Sequence, residues 1–137
     1  MERVARVAAA GFVLVGGLIH LQLWQDGYRG IRYIGPWFIA NVVVSALFVV
    51  ALLARRDVRM GVASMVFSVA SLAALVMSRT VGLFGFSEQI WTDASVQATA
   101  AELGAIVAVA VLLVAFWRPP AGMVALPVRV ARRDRRP

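Results

Sequence analysis

Four stretches of about 20 residues, free or nearly free of charged side chains, restrict what this chain can fold into. They cover residues 7–25, 34–54, 60–78 and 97–117, and only the fourth contains an acid, Glu102. A bilayer core about 30 Å thick needs roughly 20 helical residues to cross it. Because hydrocarbon offers the backbone no hydrogen-bonding partner, each stretch is predicted to be a transmembrane helix.

The amino-acid composition favours the same class and excludes several kinds of chemistry. Hydrophobic residues make up 61% of the 137 residues and charged residues 15%, whereas a soluble domain is about half apolar and about a quarter charged. The chain has no cysteine, which excludes disulfides and thiol-redox chemistry. Its single histidine cannot supply the three or four ligands typical of a zinc site. We therefore expect no metal site and no cofactor.

The arginines predict how the helices are oriented. Eleven arginines flank one end of the predicted helices, and only Arg29, Arg32 and Arg79 lie at the other end. By the positive-inside rule this asymmetry places both termini in the cytoplasm. The predicted fold is thus an all-α, polytopic membrane protein, a four-helix bundle with N-in/C-in topology. The bias toward alanine, valine and arginine, with no lysine, fits a GC-rich coding sequence, so we expect a bacterial cytoplasmic membrane.

Two regions differ in composition. Residues 1–118 form the predicted transmembrane domain, and residues 119–137 form a basic tail that we expect to be disordered and cytoplasmic. A basic run can bind nucleic acid, but its position directly after a span favours anionic lipid, at about 1 kcal/mol per basic residue. The tail residues predicted to contact lipid are Arg129, Arg132, Arg133, Arg135 and Arg136.

Small residues recur at helical spacing and predict close helix packing. The stripe on the third predicted helix consists of Gly61, Ser64, Ser68, Ser71 and Ser78. The fourth predicted helix carries Ala98, Ala101, Ala105 and Ala108. We interpret both sets as contacts of a compact bundle.

Each predicted helix contributes one polar group at a similar level in the outer half of the membrane. His20 lies roughly 7–8 Å below the outer end of the first helix, and Asn41 lies at a similar depth on the second. Arg79 ends the third helix, and Glu102 lies near the start of the fourth. Ionisable residues within a membrane are costly and usually face the bundle interior with a partner. We therefore predict an outer polar site made of these four residues and Trp24, in which Glu102 pairs with His20 or Arg79.

Each of these residues also has a structural interpretation. Thr99-x-x-Glu102 matches a capping box, which would start the fourth helix near Ala100 and leave Glu102 at its first turn. His20 could be an interhelical hydrogen-bonding residue rather than a proton carrier or ligand. Arg79 could extend to lipid phosphates.

A resemblance to small four-helix membrane proteins of high-GC bacteria covers residues 11–117. It is carried by His20-Leu-Gln-Leu-Trp24, Gly27-Tyr28-Arg29, Ile34-Gly35, Asn41, Gly82-Leu-Phe-Gly-Phe86, Glu88 and Glu102. The resemblance implies the four-helix membrane fold and carries no activity.

Three functional hypotheses follow. The first is a non-enzymatic packing or accessory protein of unknown biochemical activity, which associates in the bilayer with itself or with a membrane partner. The second is an outward-facing protein for small-molecule binding or proton-coupled transport, which uses the polar site in the outer half of the bundle. The third is an enzyme acting on a lipid, with His20 and Glu102 as acid and base.

Overall fold

A computed structural model of the chain describes four α-helices joined by short connections. The helices are α1 (Glu2–Gln25), α2 (Ile34–Ala54), α3 (Val58–Thr80) and α4 (Asp93–Trp117). A 3₁₀ turn, Tyr28–Gly30, lies between α1 and α2. Within the described part of the chain the only β-type pairing is one isolated bridge, Leu83 with Phe86. The prediction of an all-α, four-helix fold is confirmed.

The structure describes residues 1–117. The predicted basic tail, residues 119–137, lies outside the described residues. The lipid contacts predicted for this tail therefore stay a prediction. They involve Arg129, Arg132, Arg133, Arg135 and Arg136.

All four helices are long and apolar enough to cross a membrane. Their outward faces are also apolar, and Leu18, Leu47, Val66 and Val107 are each more than half exposed. Exposing such side chains to water is unfavourable by about 25 cal/mol per Å², whereas hydrocarbon solvates them well. The fold is that of a multi-pass membrane protein.

Side-chain caps begin the last two helices. Asp57 accepts a hydrogen bond from the backbone N–H of Arg59 at 2.8 Å, which satisfies a free donor at the start of α3. At the start of α4, the Thr92 N–H donates to Ser95 Oγ at 2.9 Å, and the Ser95 N–H donates to Thr92 Oγ1 at 3.3 Å. Helix α4 therefore begins about two turns before Ala100, and Glu102 is not its cap.

The helices pack in the order α2, α1, α4, α3. Helix α1 packs extensively against both α2 and α4, and α3 packs against α4, whereas α2 and α3 touch each other little. The buried core is built from small residues, which let the helix backbones approach closely. Ser64 and Ser68 on α3 are fully buried, as are Ala105 and Val109 on α4. The predicted packing role is confirmed for Gly61, Ser64 and Ser68 of α3 and for the four alanines of α4, which are buried. Ser71 and Ser78 are half-buried and line the cavity described below.

Arg56, in the turn between α2 and α3, joins three elements at one end of the bundle. Its Nε lies 3.2 Å from a carboxylate oxygen of Glu2 at the start of α1. Its guanidinium group lies 5.6 Å from the ring centre of Phe116, near the end of α4. These contacts place the N-terminus, the α2–α3 turn and the end of α4 together. The opposite end, called the long-loop end, holds the connections 26–33 and 81–92.

The α3–α4 connection folds back over the long-loop end as a tight hairpin turn. Leu83 and Phe86 exchange two backbone hydrogen bonds of 2.7 and 2.8 Å. The two residues between them, Phe84 and Gly85, have φ angles of +51° and +80°, the left-handed conformations of a type I′ turn. The sequence predicts a short amphipathic surface connection here, with a turn at its glycine-containing stretch 82–86. The structure shows that turn, because the glycines permit positive φ values and the backbone hydrogen bonds close it.

Candidate functional site

A cavity of about 480 Å³ lies between α2 and α3 toward the long-loop end. It forms because α2 packs against α1 and α3 packs against α4, while α2 and α3 make little contact with each other. Its wall on α2 includes Phe38, Asn41 and Val44, and its wall on α3 includes Ser71 and Leu75. The cavity volume falls within the range of about 300–1,000 Å³ typical of small-molecule sites.

Most of the cavity lining is apolar, and its polar groups are few. The charged groups, Arg79 and Glu88, lie at the long-loop end. The polar or ionisable lining residues are His20, Tyr28, Asn41, Ser71, Ser78, Arg79, Glu88 and Ser95. Small-molecule binding sites usually have such a lining, which combines an apolar wall with a few polar groups at defined positions.

His20 faces the cavity from α1 and is held in place by two contacts. Its Nδ1 lies 2.8 Å from the carbonyl oxygen of Gly16, one turn earlier on the same helix. Its ring meets the Phe38 ring of α2 edge-on, with the ring centres 5.1 Å apart. Because Nδ1 donates to that carbonyl, Nε2 is the acceptor of the neutral imidazole.

Asn41 connects α2 to α3 across the cavity. Its Nδ2 donates to Ser71 Oγ at 3.2 Å, and its Oδ1 accepts from Ser45 Oγ at 3.2 Å. Ser45 is buried at the α1–α2 contact. This side-chain bridge is one of the few contacts between α2 and α3, and it satisfies the amide in an otherwise apolar surrounding.

Glu102 is deeply buried, with 5% of its surface exposed. It is the tenth residue of α4 and therefore lies about two and a half turns into the helix. A Cβ placed at Gly16 of α1 would be 3.4 Å from Glu102 Oε1, so the missing side chain of Gly16 provides the space for the carboxyl group. The hydroxyl groups of Ser68 and Ser71 on α3 lie near the same group. Glu102 is thus an interior residue between α1, α3 and α4.

Arg79 pairs with Glu88 and not with Glu102. Its Nη2 lies 3.3 Å from Glu88 Oε2, and its Nη1 donates to the Glu88 carbonyl at 2.9 Å and to the Ile90 carbonyl. The guanidinium group also lies 5.7 Å from the ring centre of Trp91. The side chain is only 8% exposed, because the 81–92 connection wraps around it. Both the predicted pairing with Glu102 and the extension to lipid phosphates are corrected by these contacts.

Tyr28 completes this polar group from the α1–α2 connection. Its hydroxyl donates to Glu88 Oε2 at 2.7 Å, and its ring stacks on Phe38 with the ring centres 5.3 Å apart. Burial disfavours the phenolate, and the hydrogen bond and charge of Glu88 add to that effect, which raises the pKa of Tyr28 to about 12. Glu88 therefore joins both long-loop connections over the cavity.

Two exposed aromatic residues mark one edge of the cavity. Trp37 of α2 and Phe84 of the hairpin turn both line it, and their ring planes are nearly parallel at 4° with the ring centres 6.5 Å apart. Each is about three-fifths exposed. The two rings therefore form an exposed aromatic edge of the cavity.

The structure brings together three of the five residues in the predicted outer polar site. His20, Asn41 and Arg79 line the cavity. Glu102 lies outside the lining but contacts Ser71, which belongs to it. Trp24 is half-buried and does not line the cavity.

Sequence reasoning missed the site roles of several residues. Tyr28 and Glu88 were not included in the predicted outer polar site, because their hydrogen bond joins residues 60 positions apart and no local pattern predicts such a contact. Ser68 and Ser71 were treated as packing residues. Their spacing places them on one face of the helix. The signal that could have revealed their role was Glu102, an acid within a neighbouring predicted helix that needs polar partners.

Glu102 and His20, the acid–base pair considered in the sequence analysis, differ in their relation to the cavity. Glu102 does not line the cavity, so it is not positioned to act on a molecule bound there together with His20. Within residues 1–117, no group of three or more His, Asp or Glu side chains could hold a metal ion.

Comparison with known proteins provides no relative. No protein-family model, curated protein or solved structure matches this chain.

Proposed function

We propose that this chain is a multi-pass protein of the bacterial cytoplasmic membrane that binds an uncharged amphiphile in the cavity between α2 and α3. The observation that carries the proposal is the cavity itself, about 480 Å³ with an apolar wall and a charged pair at one end. An acyl chain or another apolar group of the ligand can pack against the apolar wall. Its hydroxyl or carbonyl oxygens can form hydrogen bonds at the polar end.

The charge balance at the polar end favours an uncharged ligand. The positive charge of Arg79 is already paired with the carboxylate of Glu88, and two backbone carbonyls accept from its Nη1. A carboxylate or phosphate on the ligand would compete with Glu88 for Arg79 and leave a second negative charge in an apolar setting, which is costly. A neutral headgroup avoids that cost.

The arginine asymmetry supports an outward-facing cavity. Within the described residues, Arg3, Arg6, Arg55, Arg56 and Arg59 lie toward the end that holds the N-terminus, whereas three arginines lie at the long-loop end. By the positive-inside rule the long-loop end is then outside the cell, with both termini inside. The cavity lies in the outer leaflet in this orientation.

Binding is favoured over two of the other roles considered, packing and proton-coupled transport. A packing or accessory protein needs no cavity, and apolar exposed residues cover all four helices, as lipid contact alone requires. Proton-coupled transport needs a second opening. On the inner side of the cavity, the rings of Phe48 and Phe67 close the space between α2 and α3, with their centres 5.4 Å apart.

A photo-crosslinking experiment tests the proposal. The protein in nanodiscs is irradiated with a monoacylglycerol that carries a diazirine on its acyl chain, and crosslinks are mapped by mass spectrometry. We expect saturable crosslinks to cavity residues such as Ala40, Val44 and Ala74, which unlabelled monoacylglycerol displaces. A free fatty acid of the same chain length should compete less well.

Two matched variants separate cavity binding from general lipid contact. Ala74→Phe places a ring in the cavity and should abolish the saturable crosslinks. Val66→Phe places the same ring on the lipid-facing side of α3, where residue 66 is 63% exposed, and should leave them unchanged. Crosslinking that no competitor displaces, or that Ala74→Phe does not reduce, would show that the cavity is not a binding site.

A further inference from the structure

A second feature, separate from the amphiphile cavity, is the buried carboxyl group of Glu102. Neither of the two salt bridges within residues 1–117 includes it, although it is 95% buried between three helices. An ionised carboxylate without a basic partner is very unfavourable in an apolar interior. A bound proton or cation would remove that cost.

The surroundings of Glu102 contain an unused hydrogen-bonding group. Ser68 is fully buried and lies near the carboxyl group, and its Oγ makes no hydrogen bond within residues 1–117. A carboxylic acid has one O–H donor to offer, and a serine hydroxyl can accept it. The neighbouring serine of the same stripe, Ser64, is instead satisfied by the Gly61 carbonyl at 3.0 Å.

Ser71 connects Glu102 to the cavity. It lies one turn beyond Ser68 on α3 and near the carboxyl group. It also accepts a hydrogen bond from Asn41 and lines the cavity. Because a hydroxyl both donates and accepts, it can pass a proton between a buried acid and water or polar groups in the cavity.

Few other titratable groups face this site from the surrounding helices. From α1, His20 lies one turn beyond Gly16 and hydrogen-bonds to its carbonyl. Helix α2 contains no titratable residue, and α3 has only Arg59 and Arg79, the latter paired with Glu88. On α4 itself, Asp93 lies at the first position, nine residues before Glu102.

We propose that Glu102 is a proton-binding site that exchanges its proton with the cavity through Ser71. The Ser68 hydroxyl receives the hydrogen bond of the protonated acid. The proposal does not require that an amphiphile occupies the cavity, because water alone can deliver the proton to Ser71.

Dicyclohexylcarbodiimide tests the protonated state directly. It is an apolar reagent that reacts with a carboxylic acid: the acid proton moves to a carbodiimide nitrogen, and a carboxyl oxygen bonds to the central carbon. The adduct then rearranges to a stable N-acylurea. In the full-length protein in nanodiscs, we expect one adduct, mapped by peptide mass spectrometry to Glu102. Labelling should fall as the pH is raised and should be absent in Glu102→Gln.

Infrared difference spectroscopy checks the same group without a reagent. A protonated carboxyl band should be present in the wild type, disappear at high pH and be missing in Glu102→Gln. In D₂O the band should shift as the proton exchanges. That shift should be slower in Ser71→Ala than in the wild type and unchanged in Ser64→Ala, a matched loss of a buried hydroxyl on the same helix.

Three results would overturn the proposal. Absence of both the adduct and the band would show that Glu102 does not hold a proton. Protection from labelling by sodium ions at constant pH would assign the site to a metal cation instead. Equal exchange rates in Ser71→Ala and the wild type would exclude the path through Ser71. Helix content and elution volume of each variant establish that it is folded.

Discussion

Gly17 of α1 lies so close to Ser45 of α2 that a Cβ at residue 17 would be 2.8 Å from the Ser45 Cβ. Ser45 is almost completely buried and also donates to Asn41. This glycine therefore fixes the distance between the two helices, and through Ser45 and Asn41 it also supports one wall of the cavity.

Replacing Gly17 by alanine is expected to destabilise the α1–α2 contact. The added methyl group meets an atom next to the α2 backbone, which cannot rotate away, so the helices must separate. Overpacking of this kind costs about 1–3 kcal/mol. Thermal unfolding in detergent, followed by circular dichroism, measures the effect.

Gly11→Ala on the same helix is the matched control for Gly17→Ala. A Cβ at residue 11 would meet nothing within 4 Å, and alanine is favoured over glycine in a helix by up to about 1 kcal/mol. We expect its midpoint to be unchanged or slightly raised. Equal destabilisation by both substitutions would show that the α1–α2 distance does not depend on Gly17.

Gly35→Ala is expected to displace the α1–α2 connection. A Cβ at residue 35 would be 2.5 Å from the carbonyl oxygen of Arg29 and 2.9 Å from its carbonyl carbon. Because these are backbone atoms, the turn must move, at a cost of about 1–3 kcal/mol. Limited trypsin digestion should therefore cleave after Arg29 and Arg32 faster than in the wild type. In Gly30→Ala, where a Cβ would meet nothing within 4 Å, cleavage should stay at the wild-type rate.

Arg79→Lys is expected to loosen the 81–92 connection although the charge is kept. A lysine ammonium cannot contact the carboxylate of Glu88 and the two carbonyls in the planar arrangement of the guanidinium group. The loss of hydrogen bonds to a charged group corresponds to about 1–3 kcal/mol. Amide hydrogen exchange across residues 81–92 should accelerate, while exchange in α1 stays constant. Arg29→Lys, in the exposed connection opposite, should leave both regions unchanged.

Tyr28 is expected to titrate at unusually high pH. Its pKa is raised to about 12, against an ordinary value of about 10. Since the neutral form is favoured in the folded state, the contribution of this group to stability is complete below pH 10 and is lost as the pH rises toward 12. Tyrosinate absorbance should therefore show a component near pH 12.

Two variants assign that component to Tyr28. Tyr28→Phe should remove it and leave only the signal of Tyr33. Glu88→Gln should move it to lower pH, because the carboxylate that opposes phenolate formation is gone. A component near pH 12 that persists in Tyr28→Phe would contradict the assignment.

Much of the fold follows from the sequence because the bilayer is a demanding solvent. Charges must lie outside it and backbone groups must be satisfied within each helix, so the positions of the arginines and acids delimit four helices. The buried small residues were also predictable. Ser64 and Ala105, for example, lie at helical spacing within their stripes, and both are fully buried.

The start of α4 was not predictable with the same accuracy. Thr99 and Glu102 match the capping-box pattern, but Thr92 and Ser95 make the cap. A motif as short as a capping box can match at several positions in the polar segment that precedes a transmembrane helix. The position that forms is the one that lets Ser95 and Ala98 bury themselves against the neighbouring helices.

The membrane class, the number of helices and the few polar groups within them follow from the sequence alone, because these depend on how residues partition between water and lipid. Which groups meet is visible only in the three-dimensional fold: Arg79 with Glu88 at the cavity, and Glu102 near Ser68 and Ser71. Helical periodicity places a side chain on a face of its own helix. Which neighbour that face meets depends on the order of packing and on how the connections fold back, and these are set by contacts distant in the sequence.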